Sequence, residues 1–357
     1  MITMKDIAQQ IGVSRSTVSL VLNQNPLSER IRPELRDQIN RVADELGYCR
    51  NEVARSVVTG KTQVLGFINY GLDHEVCGRI LNGFNETAAE QNYYIKHINI
   101  KHSNSVKDLK NFARSVAIQC AQQRLAAVAC CFGPWILQNA LKHELDRFDI
   151  AMVSICFFNP EYDYITIGSD EGMAARLLVE HFKSQGHRKL AYVTHGYEHE
   201  PFSRIRHEAF LQAAKEQNLM VVDQVLNECQ DADTQPFEQQ IGDMFQRNVQ
   251  GDSFTAVACG SDCNAYLVLR VAMGKGIKVP EDLSVTGFGN LFYSHFSCPG
   301  LTTIDQAFDQ MGACAASHLI RCVHEPDAKL PGPGDLHFKL PVQLVQRNST
   351  AVCRTLL

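Results

Sequence analysis

From Gln63 onward the sequence alternates short, almost wholly apolar runs with longer stretches whose apolar residues recur every three or four positions. A short continuous apolar run is the mark of a strand buried on both faces, and the longer recurrence is one face of a helix. Strands are predicted at Val64–Ile68, Leu125–Cys131, Ile150–Ile155, Leu190–Val193, Phe254–Cys259 and Leu283–Val285. Helices are predicted along Ile80, Leu81, Phe84 and Ala88, and around 105–122, 135–146, 171–185, 203–217, 236–247 and 262–273. Strands separated by helices of this length pair in parallel, because the helix is the crossover. This stretch is too long for one comfortable core, so the pattern predicts two α/β lobes.

Residues 1–60 follow a different pattern. Thr3-Met4-Lys5-Asp6 fits a capping box, Ile7, Ala8 and Ile11 share a helical face, and Gly12 is suited to the left-handed turn that ends a helix. Ser14 is a good cap for a second helix, along which Val18, Val21 and Leu22 face inward. Two short amphipathic helices joined by Gly12-Val13-Ser14 make a helix-turn-helix. Its second helix turns Arg15, Ser16, Ser19, Leu20 and Asn23 outward. Arginine matches guanine bidentately and serine bonds to several base edges, whereas Leu20 can only pack, for instance on a thymine methyl. A third helix starts at Pro33, carries the stripe Leu35, Ile39, Val42, Ala43 and Leu46, and stops at Gly47. The connection Asn25–Ile31 reads as a loop. A fourth segment, about 51–58, runs from Asn51 to Val58 and is too short to be stable alone, so it is expected to order against DNA or a second subunit.

Charge follows the same division. Residues 1–61 carry nine Lys and Arg against seven Asp and Glu, while the rest carries 25 against 32. A mildly basic head on an acidic body suits a chain whose head alone meets phosphates. The thirteen cysteines are scattered and form no CxxC pair, which reads as reduced, mostly buried residues rather than a disulfide framework. The first ten residues lack a basic stretch followed by an apolar run, and no run approaches a membrane span. A cytoplasmic protein is expected, with no membrane partner.

Val13-Ser14-Arg15-Ser16-Thr17-Val18-Ser19, Asn23, Leu46-Gly47-Tyr48 and Asn51-Glu52-Val53-Ala54-Arg55-Ser56 resemble the headpiece and hinge of the LacI/GalR family of bacterial regulators. Body landmarks continue the resemblance to about residue 348. They are Asp170-Glu171-Gly172, Gly186-His187-Arg188-Lys189-Leu190-Ala191, Arg206, Val279-Pro280-Glu281-Asp282-Leu283-Ser284-Val285 and Leu301-Thr302-Thr303-Ile304. The fold implied is an all-α helix-turn-helix headpiece at 1–60 with a hinge helix at about 51–58. It is followed by a two-lobed, periplasmic-binding-protein-like α/β body of type I at 61–348 and a tail at 349–357. The resemblance implies a homodimer on pseudo-palindromic double-stranded operator DNA, and a hinge that folds in the minor groove. Thr3, Thr17, Tyr48, Asn51, Ala54 and Val57 join the outward residues of the second helix as expected DNA contacts. Val57 stands where the family usually has a leucine wedge, and its shorter branched side chain inserts less deeply.

The resemblance also implies a small-molecule effector, a sugar or another metabolite, held between the lobes by Tyr70, Trp135, Arg206, Ser261, Asp262, Asn290 and Gln306. Two of these positions depart from the family pattern: Ser261-Asp262 replaces an Asn-Asp pair, and Gly289-Asn290 replaces an acidic pair. The competing role for Asp262 is a helix cap, and for Arg206 an ion pair with a neighbouring acid. Cys314, His318 and Cys322 lie four apart on one predicted helix, but three ligands over two turns do not converge on a tetrahedral ion, so no metal or cofactor is expected. GxGxxG, P-loop, GxSxG and HExxH patterns are absent, which argues against an enzyme. Two alternatives remain open: a regulator that has lost effector response and keeps the body only to dimerise, and a stand-alone small-molecule binding protein. Ligand screening against the body separates the first from an effector-controlled regulator, and the second leaves the headpiece without a purpose.

Overall fold

The computed structural model describes residues 2–23, 25–48, 62–69, 75–100, 105–133, 135–156, 163–196, 201–227, 234–250, 253–325 and 336–353. The chain divides into two compact units, Met1–Thr62 and Gln63–Leu357. The first holds α1 (Met4–Ile11), α2 (Arg15–Leu22), a 3-10 turn (Pro26–Arg30) and α3 (Pro33–Glu45). Gly12 ends α1 in the left-handed conformation at φ 77°, and the Ser14 hydroxyl caps α2 by accepting from Thr17 N–H at 3.0 Å. The Asp6 carboxylate reaches back to the N–H and hydroxyl of Thr3, both at 2.8 Å. Ile7, Ala8, Val18, Val21, Ile39 and Ala43 form the small core, ringed by Ile11, Leu22, Leu35, Val42, Leu46 and Tyr48. The stretch 25–31, expected as a loop, winds into the 3-10 turn because Asn25 caps it and Pro26 presets its first φ.

The second unit is built on two six-stranded sheets. Its first lobe contains β1 (Val64–Asn69), α4 (Glu75–Glu90), β2 (Tyr94–Asn99), α5 (Val106–Gln122), β3 (Ala127–Cys131), α6 (Trp135–Asp146), β4 (Ala151–Ile155) and β5 (Thr166–Ser169). The second lobe follows with α7 (Glu171–Ser184), β6 (Lys189–His195), α8 (Pro201–Glu216), β7 (Met220–Asn227), α9 (Gln235–Gln250), β8 (Ala256–Cys259), α10 (Asp262–Gly274), β9 (Ser284–Phe288), α11 (Phe292–Phe296) and β10 (Thr302–Asp305). The chain then passes back: α12 (Phe308–His324) covers the first sheet, β11 (His337–Leu340) joins its edge beside β5, and β12 (Gln343–Val345) returns to pair with β10. The described pairings are parallel except for β12, which is antiparallel to β10.

Each sheet is covered on both faces, which is why its central strands are continuous apolar runs. In the first lobe, α4 and α12 lie on one face over Leu65, Phe67, Ala129, Val153 and Ile167, and α5 and α6 on the other over Ile68, Val128, Cys130 and Met152. Helices α4 and α12 cross with their backbones nearly touching. A Cβ on Gly83 would fall on the Asp309 carbonyl, and one on Gly312 on the Ile80 carbonyl. Beyond Asn348, Ser349 is fully buried and its hydroxyl donates to the Val285 carbonyl while accepting from Thr302 N–H. Thr350 pairs with His181, and the Ala351 carbonyl lies 3.2 Å from His187 Nε2. Among the described residues, no helix is long and apolar enough to cross a membrane.

Candidate operator interface and effector cleft

In the headpiece, burial of Val18 and Val21 fixes the rotation of α2, so Arg15, Ser16, Ser19, Leu20 and Asn23 share the opposite face. Arg15 and Ser16 are exposed at the helix N-terminus; Ser19, Leu20 and Asn23 are half-buried. Asn23 Nδ2 donates to Ser19 Oγ at 2.9 Å, and Thr17 Oγ1 lies 2.9 Å from Ser14 Oγ, so these side chains are held in place by each other. Arg15 is exposed and makes no side-chain hydrogen bond or ion pair among the described residues, which leaves its guanidinium available to DNA. Thr3 is exposed at the start of α1, and Tyr48 packs half-buried against the headpiece core. Asn51, Ala54 and Val57, and with them the hinge segment 51–58, lie outside the described residues, as does Tyr70.

In the body, Arg206 on α8 is the centre of a buried polar cluster. Its Nε donates to Glu171 Oε2 at 2.8 Å, its Nη2 to Glu171 Oε1 at 2.9 Å, and its Nη1 to the Gly260 carbonyl at 2.5 Å. The same Nη2 lies 3.2 Å from Gln306 Oε1. The guanidinium sits 3.5 Å from the ring centroid of Phe288, with Phe202 at 5.6 Å on another side. The Arg206 and Glu171 side chains are only 8% and 14% exposed. Burial alone would lower the arginine's pKa, but the charge and hydrogen bonds of Glu171 overcome it and hold it above the usual value. The Ser169 hydroxyl bridges to Glu171 Oε1 and Gln306 Oε1 at 2.8 and 3.0 Å. Ser169 ends β5 and Gln306 follows β10, so the cluster ties together two of the segments by which the chain passes between lobes.

Of the remaining expected effector residues, Ser261 follows Gly260, whose carbonyl Arg206 holds. Ser261 caps α10, accepting from Asn264 N–H at 3.2 Å. Asp262, the first residue of that helix, is fully buried and accepts from Thr303 and Ser294 hydroxyls at 2.5 Å and from Leu291 N–H at 2.7 Å. Burial pushes its carboxyl up, against the pull of these donors. Asn290 belongs to a second network where the lobes meet. It donates to Asp305 at 2.8 Å, accepts from Arg347 at 2.7 Å, and its carbonyl accepts from Arg79 of the first lobe at 3.3 Å. Trp135 is 52% exposed at the start of α6, apart from both networks. Across the cleft, Phe132 after β3 meets Phe202 of the second lobe with ring centroids 6.4 Å apart.

Sequence reasoning missed Glu171, Ser169, Phe202 and Phe288 as members of this site. Glu171 was visible within Asp170-Glu171-Gly172, but its partner is 35 positions away, and nothing local in the sequence ties the two.

The family model for bacterial regulatory proteins of the lacI family matches residues 3–51, and that for a periplasmic binding protein-like domain matches residues 179–350. Among curated relatives, the HTH-type transcriptional repressor PurR of Pectobacterium atrosepticum is 30% identical over 90% of this chain and 90% of its own length. The probable HTH-type transcriptional repressor ExuR of Bacillus subtilis is 26% identical, covering 92% and 94%. Among solved structures, the lac repressor dimer bound to operator and the anti-inducer ONPF superposes with a TM-score of 0.80 at 20% identity, covering 98% of this chain and 99% of that one.

Proposed function

The chain belongs to the LacI family of bacterial regulatory proteins, with a periplasmic-binding-protein-like body, and is a transcriptional regulator rather than an enzyme; from this premise we propose that α2 reads operator bases and that a small molecule bound at Arg206 controls it. The observation that carries the first half is the face of α2. Arg15 and Ser16 stand exposed at the helix N-terminus, while Ser19 and Asn23 are pre-positioned by their mutual hydrogen bond. Recognition helices present their N-terminal side chains to base edges in the major groove. The proposed operator contact also includes Thr3, Thr17 and Tyr48, together with Asn51, Ala54 and Val57 of the hinge segment. Operator binding places the protein in the bacterial cytoplasm, on a pseudo-palindromic site read by a homodimer. Support for the dimer comes from α11, where Phe292, Tyr293 and Phe296 are 62%, 69% and 65% exposed on one short helix; three aromatic rings side by side in water favour a covering partner.

The second half rests on the Arg206 cluster. A guanidinium stacked on Phe288, paired with Glu171 and joined to Ser169 and Gln306 offers charge, hydrogen bonds and an aromatic wall to a small polar ligand such as a sugar or another hydroxylated metabolite. Any ligand that competes for these groups pulls on segments that connect the lobes, which gives it different affinities for two lobe arrangements. Operator and effector affinities are then reciprocally coupled. A second reading is favoured by the same geometry. Arg206, Asp262 and Asn290 already have their polar groups engaged within the protein, as in a body that serves only to dimerise.

The experiment is selection of bound sequences from random duplex DNA, with and without metabolite extract. Recovery of a palindromic consensus whose occupancy changes with extract supports the effector-controlled reading. A consensus indifferent to extract, with no heat in calorimetric titrations of sugars, nucleosides and amino-acid-like ligands, supports the second. Absence of any consensus overturns the assignment of α2.

A further inference from the structure

Three thiols converge at the carboxyl-terminal edge of the first sheet. Cys131 ends β3, Cys156 follows β4, and Cys77 lies in the first turn of α4. Cys131 and Cys156 pack in the same apolar layer beneath α4 and α12, and Cys156 and Cys77 both lie near enough to Cys131 to raise its thiol's pKa. Cys131 and Cys77 are buried, while Cys156 is partly open to solvent and also donates to the Met311 thioether at 3.8 Å. Side chains alternate along a strand, and Cys131 is in register with Ile155, both facing the α4 and α12 layer. The next residue, Cys156, would ordinarily face the opposite side. Its φ of 64° breaks the alternation, and its side chain packs on the same α4 and α12 face as Cys131, against Met311. A non-glycine residue rarely takes this conformation without a reason in its surroundings. Strand spacing and rise put the two Cα atoms about 6 Å apart, inside the range of about 4.4–6.8 Å that a disulfide spans.

We propose that Cys156 and Cys131 form an oxidisable thiol pair, a modification site on the first-lobe edge of the cleft that closes to a disulfide in response to peroxides. The Cys156 sulfur attacks one peroxide oxygen, the O–O bond breaks, and the departing hydroxide takes the thiol proton to leave as water, giving a sulfenic acid. The Cys131 sulfur then attacks the Cys156 sulfur, the S–O bond breaks, and a second water leaves with the Cys131 proton. The peroxide gains two electrons and the thiols lose two. The order follows from access: Cys156 is partly open to solvent whereas Cys131 is buried, and burial raises the Cys131 thiol's pKa, so peroxide meets Cys156 first.

The test uses the full-length reduced protein, treated with hydrogen peroxide, quenched, alkylated and mapped by peptide mass spectrometry. The expected product is a cross-linked Cys131–Cys156 peptide, with two alkylatable thiols lost per chain and both regained on dithiothreitol treatment. Cys156→Ser abolishes the cross-link, and Cys131→Ala leaves Cys156 as a sulfenic acid that dimedone traps. The exposed Cys263 and Cys298 are internal controls in the same digest. The proposal is overturned if those two oxidise while Cys131 and Cys156 stay separately alkylatable. It is also overturned if the bridge joins Cys77 to Cys131 and spares Cys156.

Discussion

The guanidinium of Arg206 and the carboxylate of Glu171 meet fork to fork, with two parallel hydrogen bonds of 2.8 and 2.9 Å inside an almost dry site. A pair of this kind is a poor source of net stability, because taking both charges out of water offsets most of their attraction, but breaking it is costly. Glu171→Ala strands a buried cation and is expected to lower stability by about 3–5 kcal/mol, read as a fall in the urea midpoint. Arg206→Met with Glu171→Leu removes both charges and is expected to recover most of that loss. Equal losses for the single and double variants would show that the pair is not coupled.

On the headpiece, Arg15→Ala is expected to cost about 1–3 kcal/mol on the selected operator and to relax the preference at one base position. Quantitative gel shifts on the operator and on its single-base variants measure both. An equal loss on random duplex DNA would make Arg15 a phosphate contact.

The crossing of α4 and α12 leaves no room for a methyl group. Gly312→Ala places a Cβ against the Ile80 carbonyl, and Gly83→Ala against that of Asp309. Overpacking against backbone that has nowhere to go costs about 1–3 kcal/mol or more. Gly78→Ala, on the same α4 but in open space, is the control, and its better helix propensity is expected to leave stability unchanged or raised by up to about 1 kcal/mol. Thermal melts of the three variants separate the steric effect from propensity.

Two histidines pin the segment after Asn348. His181 pairs with Thr350, and His187 with Thr255, Ser284 and the Ala351 carbonyl. Burial lowers the pKa of both below the ordinary 6.5. The unfolded chain therefore binds protons first, so the neutral rings' contribution is fully present above about pH 6.5 and is lost as pH falls through the lower folded values. Chemical denaturation midpoints at pH 7.5, 6.5 and 5.5 are expected to decline, and the decline to flatten in His187→Gln. A midpoint that rises on acidification would reverse the sign.

The central strands β1, β3, β4, β6, β8 and β9 were legible because burial on both faces makes them continuous apolar runs. The edge strands were not. Strand β2 carries Lys96 and His97, and β7 carries Asp223 and Gln224, since an edge faces solvent and its composition resembles a loop. In the headpiece, caps, stripe and stop signals are local and were readable residue by residue. The cleft was readable only in part: Arg206 and Gln306 stood out, but Glu171, Ser169 and Phe288 acquire their roles through contacts made in three dimensions. The same holds for Gly83 and Gly312, each ordinary in its own helix.

The interleaved path of the chain has a practical consequence. Because β11 and α12 complete the first lobe after the second has been built, and β12 then returns to the second, each lobe is stitched from separated stretches of sequence. Cutting between β5 and α7 would deprive the upstream fragment of an edge strand and a covering helix. A project that seeks either lobe as an isolated module therefore needs a rejoined gene, with 308–340 fused behind the first block and the 341–353 strand-and-anchor piece retained by the second.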